Sequence, residues 1–201
     1  KMEALAARVS HSPDARIQHL VQWLQEHLCE DIGKDTSSKA PWQPRRVLIF
    51  TEYTDTLRYL EEQLSAALAS TTLPTERIQK LHGGLGEESK EEVKRAFNAN
   101  PEEEPLRILL ATDSAREGIN LQNHCADLFH FDVPWNPSRL EQRNGRIDRK
   151  GQPSDEVRCH YFTYAQRSED RVLRVLMEKT QTIQDELGSL SPILQRQFTK
   201  L

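Results

Sequence analysis

The run Gln142-Arg143-Asn144-Gly145-Arg146-Ile147-Asp148-Arg149-Lys150-Gly151-Gln152 carries the strongest chemical signal in the chain. Asn136-Pro137 offers a helix start, with Asn as cap and Pro at the first helical position, and the pattern predicts a helix over 137–149. At 100° per residue, Gln142, Gly145, Arg146 and Arg149 fall within roughly a 100° arc of such a helix. That face would present an amide, a point of close approach and two permanent cations. A guanidinium suits phosphate because it is planar, always charged and able to bond two oxygens at once. Charge that develops on a transferring phosphoryl group needs a donor of this kind, and an arginine finger contributes ~10³–10⁵ in rate where one is used. The plainer alternative is a salt-bridged surface helix, since Glu141 and Asp148 lie close by.

Three further segments have the right residue types. Ala111-Thr112-Asp113-Ser114-Ala115-Arg116-Glu117-Gly118-Ile119-Asn120-Leu121-Gln122 is an apolar run ending in a hydroxyl-rich turn. Backbone amides and hydroxyls in such a turn can grip phosphate, and Gly118 permits close approach. The alternative is that Asp113 or Glu117 caps a helical turn. Leu81-His82-Gly83-Gly84-Leu85 lets a backbone approach a phosphodiester, although Gly-Gly is also an ordinary turn. In Thr51-Glu52-Tyr53-Thr54, Thr54 or Asp55 could simply cap the next helix.

The elements that must position these residues follow a repeated grammar of short apolar run, polar turn and amphipathic helix. The predicted strands are 46–50, 78–81, 106–111, 126–131 and 157–162, and the helices lie near 55–69, 87–98, 137–149 and 168–187. Alternation of this kind implies an α/β fold with a mostly parallel sheet covered on both faces. Ligands of open α/β sheets collect beyond the carboxyl ends of the strands, here Thr51 to Thr54, His82 to Gly84, Thr112 to Leu121 and Asp132 to Asn136. Ahead of this unit, Ser12-Pro13-Asp14 starts a helix carrying Ile17, Leu20, Val21, Leu24 and Leu28. Residues 31–44 turn polar and read as a mobile linker. The loop 101–105 reads as an acidic, solvated connection.

Composition narrows the class. Of 201 residues, 36% are hydrophobic and 29% charged, which suits a globular domain and excludes a disordered one. A net charge of −4 argues against a simple basic nucleic-acid coat protein. Cys29, Cys125 and Cys159 are odd in number and far apart, so neither a disulfide framework nor a zinc site is expected, and a reducing compartment is the plain reading. His124, His130 and His160 are expected as packed or capped side chains rather than metal ligands. Of the three tryptophans, Trp135 is the one beside the arginine-rich run. No apolar run approaches the ~20 residues of a membrane span. The opening Lys1-Met2-Glu3-Ala4 has no signal core and reads as the edge of an excised piece.

Together and in this order, the segments resemble the C-terminal RecA-like lobe of superfamily 2 helicases. Arg46 to Thr54 is similar to the family's motif IV, Leu81 to Gly84 to its next phosphate-contacting loop, and Ala111 to Gln122 to motif V. Gln142 to Arg149 matches the Q-x-x-G-R-x-x-R pattern of motif VI. The flanks Phe131 to Pro137 and Arg149 to Gln152 resemble the Swi/Snf branch, in particular bacterial and archaeal members. Many Swi/Snf proteins have a Gly-Gly pair where this chain has Arg116-Glu117, which suggests a divergent subgroup.

The resemblance implies a RecA-like lobe over 45–165, preceded by a helix and linker (1–44) and followed by a helical extension (166–201) that packs on the lobe or braces it. It implies that Arg146 and Arg149 are arginine fingers, and that Gln142, Gly145, Gly118 and Glu117 line the ATP cleft. Thr51, His82, Gly83, Thr112 and Ser114 would contact a nucleic-acid backbone. ATP with Mg2+ would be bound mainly by an N-terminal lobe, because this sequence has no G-x-x-x-x-G-K-[ST] loop and no Asp-Glu pair after an apolar strand. The expected partners are that lobe and duplex DNA, gripped without sequence preference, in a cytoplasmic protein that is nucleoid-associated if bacterial. No membrane and no resident metal are expected, and the isolated lobe is expected to be inactive. The alternatives are a non-catalytic RecA-like docking module and a lobe of an RNA-directed helicase.

Overall fold

Strand β1 (Arg46–Thr51) is buried along its whole length, and its apolar side chains divide between two cores. Val47 and Ile49 point to one face; Leu48 and Phe50 point to the other. A strand buried on both faces belongs in the middle of a covered parallel sheet. The computed structural model, which describes residues 14–35, 39–114 and 119–163, puts it there. The sheet has five strands in the order β2-β3-β1-β4-β5, and every pairing is parallel. The others are β2 (Ile78–Leu81), β3 (Ile108–Thr112), β4 (Cys125–His130) and β5 (Arg158–Tyr161).

Helices α1 (Ala15–His27) and α2 (Thr54–Leu68) cover the first face. The α2 stripe Leu57, Leu60, Leu64 and Leu68 has helical spacing, and all four are buried against Val47, Ile49, Ile108 and Leu110. Helix α1 begins at Asp14, whose carboxylate accepts from the Arg16 amide at 2.9 Å, and it buries Ile17, Leu20 and Leu24 in the same core. The stretch predicted as a linker is packed where it is described. Asp31 and Ala40 are joined by a 2.6 Å bond from the Ala40 amide, Ile32 is buried, and the Gln43 amide donates to the Leu28 carbonyl. Its polar composition hid these anchors.

The second face carries α3 (Glu87–Asn98), which buries Phe97, and α4 (Pro137–Asn144), capped by Asn136 accepting from the Ser138 amide. Helix α4 corrects the sequence reading, because it stops at Asn144 and not at 149. Gly145 is its C-cap, and the next bonds tighten to the i−3 type, from Arg146 to the Arg143 carbonyl and from Ile147 to that of Asn144. This turn drives Ile147 into the second core. Gly151 then takes a positive φ of 92°, which favours glycine, and Gln152 donates to the carbonyls of Ile147 (2.8 Å) and Cys125 (3.0 Å). The predicted helix at 168–187 lies outside the described residues.

Three buried arginines close the amino ends of β1, β2 and β3. Arg46 donates to the carbonyls of Leu106, Phe97 and Ala99; Arg107 to those of Gln43, Pro101 and Glu104; Arg77 to those of Thr72 and Pro105. The loop 101–105 is therefore held by its backbone, while Glu102 and Glu103 remain exposed. Burial, reinforced by the neighbouring Arg107 charge, lowers the Arg46 pKa to about 10; burial also lowers those of Arg77 and Arg107. Arg46→Ala should cost about 3–5 kcal/mol in urea denaturation, because several buried carbonyls lose their donor together. A loss under about 1 kcal/mol would show that water replaces the guanidinium.

Candidate functional site

The carboxyl ends of β1, β2 and β3 open onto a cleft of about 490 Å³ walled on its far side by α4. At its base lies Arg143, with 2% of its surface exposed. Its Nε and Nη2 bond both oxygens of Asp113 at 2.6 and 2.7 Å, the fork geometry that a guanidinium and a carboxylate share. Nη1 donates to the Asp132 carbonyl at 2.7 Å, and the Phe50 ring lies 5.4 Å from the guanidinium carbon. Asp132 in turn accepts from the Glu52 amide (2.8 Å) and from the Thr51 hydroxyl. One side chain of α4 thus ties together the turns that leave three strands.

Sequence reasoning passed over Arg143 in favour of the cations that follow it. The signal was present: Leu140, Arg143 and Ile147 are spaced three and four apart, and all three are buried. An arginine on the apolar stripe of a helix must find carboxylates or carbonyls inside.

His130, fully buried on β4, completes the cluster. Its Nε2 donates to Asn144 Oδ1 at 2.8 Å, its ring stacks on Tyr161, and Nδ1 faces Arg143 at 3.5 Å. A second proton would stand unsolvated beside a permanent cation. Burial and then the Arg143 charge outweigh the bond to Asn144 and lower the His130 pKa to about 3.

The residues singled out in the sequence fall into three groups. Arg146, Gln142, Thr112 and Ser114 line the cleft. Gly83 meets Ser114: its amide donates to Ser114 Oγ at 3.2 Å, and Thr112 Oγ1 lies 2.8 Å from the same oxygen, while His82 Nδ1 accepts from the Gly84 amide at 3.2 Å. A Cβ on Gly83 would lie 3.0 Å from the Ser114 side chain and 3.1 Å from its carbonyl, so Ser114 would have to shift to admit a larger residue. The ends of β2 and β3 therefore share one ridge of hydroxyl and amide groups.

The second group points elsewhere. Thr51 is buried with its hydroxyl on Asp132. Gly145 sits at the end of α4, where a Cβ would meet the Glu141 carbonyl at 3.3 Å. Arg149 is exposed and donates to the Asn120 side-chain carbonyl, outside the cleft lining. Glu117 and Gly118 form the third group and lie outside the described residues.

Two aromatic side chains are largely exposed: Tyr53, which lines the cleft, at 62%, and Trp135, in the turn after β4, at 63%. Arg139 and Glu52 pair across the mouth at 3.0 Å. Among the described residues no group of three or more His, Cys, Asp or Glu side chains is arranged to hold a metal, and no helix is long and apolar enough to cross a membrane.

Comparison with known proteins gives a consistent result. The family model described as "Helicase conserved C-terminal domain" matches residues 26–151. The chain is 36% identical over 151 residues to the uncharacterized ATP-dependent helicase YqhH of Bacillus subtilis (strain 168), covering 74% of this chain and 24% of that protein. It is 32% identical over 132 residues to the RNA polymerase-associated protein RapA of Yersinia pestis (strain Pestoides F), covering 66% of this chain and 12% of that protein. The chain thus spans a quarter or less of the length of these relatives. The crystal structure of the C-terminal part of the Fun30 ATPase domain superposes with a TM-score of 0.61 at 21% identity, over 80% of this chain and 45% of that one, which is a likeness of fold.

Two outcomes test the cluster beneath the cleft. Asp113→Ala should destabilise the domain by about 3 kcal/mol, since Arg143 loses its bidentate partner while buried, whereas Glu52→Ala should cost under about 1 kcal/mol because its pair with Arg139 is solvated. Equal losses in chemical denaturation would contradict the ranking. His130 takes up a proton on unfolding near its ordinary pKa of about 6.5, but in the folded state only near 3. Stability is therefore complete above that ordinary value and falls with pH below it, by about 2 kcal/mol between pH 7 and 5. His130→Gln, which can still donate to Asn144, should remove that part of the slope.

Proposed function

This chain belongs to the helicase conserved C-terminal domain family, and from that premise we propose that it is the second motor lobe of a Swi/Snf-type, ATP-driven translocase on duplex DNA. The observation that carries the reading is Arg146 on the cleft wall beside Gln142, above a base fixed by Arg143. A cation held at the rim of a preorganised, partly dry cleft is suited to charge that develops on a transferring phosphoryl group.

Arg146 and Arg149 act as the fingers, and the environments of the neighbouring arginines support this division. Arg143 is gripped by carboxylates in the interior and cannot be spared. Arg149 is held by a neutral amide at the surface, and a hydrogen bond of that kind is worth only about 0.5–1.5 kcal/mol net. Exchanging Asn120 for a phosphate oxygen is therefore favourable once a nucleotide is presented from across the cleft. Gln142, exposed at the mouth, orders the same region.

ATP is the substrate and is presented by the partner lobe. Mg2+ belongs with that lobe as well, because hard cations need converging oxygen ligands and the carboxylates at the base here are already engaged by Arg143. The ridge formed by Gly83, Thr112 and Ser114, with His82 beside it, provides donors for phosphodiester oxygens, which fix position without reading sequence. Residues 139–151 carry five basic and two acidic side chains, a local net of +3 on an acidic chain. Alone, the lobe is inactive and binds DNA weakly.

In the complete protein, Arg146→Ala and Arg149→Ala should each reduce ATP turnover at least ~10³-fold, with thermal unfolding of the lobe unchanged. Turnover of the parent protein should rise with duplex DNA of any sequence and fall as salt increases. Near-normal turnover in both variants would overturn the finger assignment. Stimulation by RNA but not by duplex DNA would overturn the substrate.

A further inference from the structure

Arg139 and Glu52 face each other at the mouth of the cleft. Arg139 stands one turn before Gln142 on α4 and ahead of Arg146, and all three line the cleft. Its Nη1 donates to Glu52 Oε1 at 3.0 Å, and among the described residues Glu52 is the one hydrogen-bond partner of this side chain. The two side chains are 52% and 31% exposed, so water screens the pair and little free energy holds it together. Arg143, by contrast, is buried and committed to Asp113 and Asp132. Two arginines on one short helix thus differ in kind: one fixes the cleft, and the other can change partner.

The topology sets this pair in line with the ridge. The strand order β2-β3-β1-β4 places Gly83, Ser114, Glu52 and Asp132 side by side beyond the carboxyl ends, and α4 follows Asp132. Neighbouring strands lie about 4.8 Å apart, so the row measures about 14 Å from β2 to β4. One strand of a duplex carries a phosphate about every 3.4 Å along the axis, so a backbone laid on this row presents about four. The ridge of Gly83, Thr112 and Ser114 meets the first of them with hydroxyl and amide donors. Affinity for duplex DNA comes chiefly from cations that displace condensed counterions, which hydroxyls and amides cannot do. Arg139 brings a permanent, planar cation to the other half of the row, roughly 10 Å along the chain's helical path from Arg146. The Glu52 amide is fixed by Asp132, so its carboxylate stays at the mouth when the guanidinium leaves it. An arriving phosphate therefore competes with that carboxylate for the same donor.

We propose, resting on the translocase reading above, that Arg139 is a backbone contact for duplex DNA, held by Glu52 until a phosphate takes the carboxylate's place. Glu52 thereby lowers the affinity of the lobe for DNA, and the row of strand ends is a track with a hydroxyl half and a cationic half.

The test measures binding of labelled duplex DNA to the complete protein, without nucleotide, by fluorescence anisotropy over a series of salt concentrations. Arg139→Ala should weaken binding about fivefold and reduce the slope of log K against log[salt] by about 0.9, the counterion release of one phosphate. Arg139→Lys, which keeps the charge, should keep the slope. Glu52→Gln should tighten binding about twofold, because the guanidinium no longer has to leave a carboxylate. Arg158→Ala removes a comparably exposed arginine from the amino end of β5 and should change neither affinity nor slope. An unaltered slope in Arg139→Ala, a slope lost in Arg139→Lys, or weaker binding in Glu52→Gln would each overturn the proposal. A raised KM for ATP in Arg139→Ala with the DNA slope intact would assign the guanidinium to the nucleotide and overturn it too. Failure of the parent protein to bind duplex DNA would remove the translocase reading along with it, whereas the other outcomes leave that reading standing.

Discussion

The architecture of the cleft depends on one buried cation. Arg143 lies in the last turn of α4, and both of its carboxylate partners, Asp113 and Asp132, come from turns leaving other strands. Desolvating a guanidinium is expensive, and the expense is offset only when every donor is directed to a good acceptor. That requirement fixes how α4 sits on the sheet and, through Asp132, where Thr51 and Glu52 point. Positions in the cleft that would otherwise follow the mobility of separate loops are locked to one another. Such a base holds the groups that line the cleft at a constant distance from the strand ends.

The pattern of the main fold was legible in the residues. Apolar runs marked β1 and β3 as strands, the helix expected near 55–69 matches α2 to within a residue at either end, and the 87–98 helix matches α3. The order of the four polar segments resembled that of the helicase C-terminal lobe, to which the chain belongs. What escaped was whatever depends on a partner distant in sequence. The end of α4 is decided by Gly145 together with the core pocket that takes Ile147, and no local pattern reports that pocket. The burial of Arg46, Arg77 and Arg107 depends on carbonyls of loops 28 or more positions away as well as on near neighbours. Thr51 reads as an exposed hydroxyl until Asp132 is brought beside it.

The two ends of the sheet are treated differently. At the amino ends, buried arginines neutralise carbonyls and bind the loops into the body of the domain. At the carboxyl ends, hydroxyls, amides and arginines face an open cleft. One rim is closed by its arginines and the other stays open above the Arg143 cluster, as the parallel topology permits.

The pair of hydrogen bonds donated by Gln152 gives the arginine-rich turn a mechanical character. Its amide grips the carbonyl of Ile147 and that of Cys125 in β4, so the stretch holding Arg149 is anchored at both ends only five residues apart. Backbone drift there is suppressed. Any travel of the 149 guanidinium away from Asn120 must come from rotation about its own carbon–carbon bonds, a motion of picoseconds to nanoseconds, rather than from a slow rearrangement of the loop. The length of the side chain, and not the flexibility of the chain that bears it, then sets how far that charge can extend.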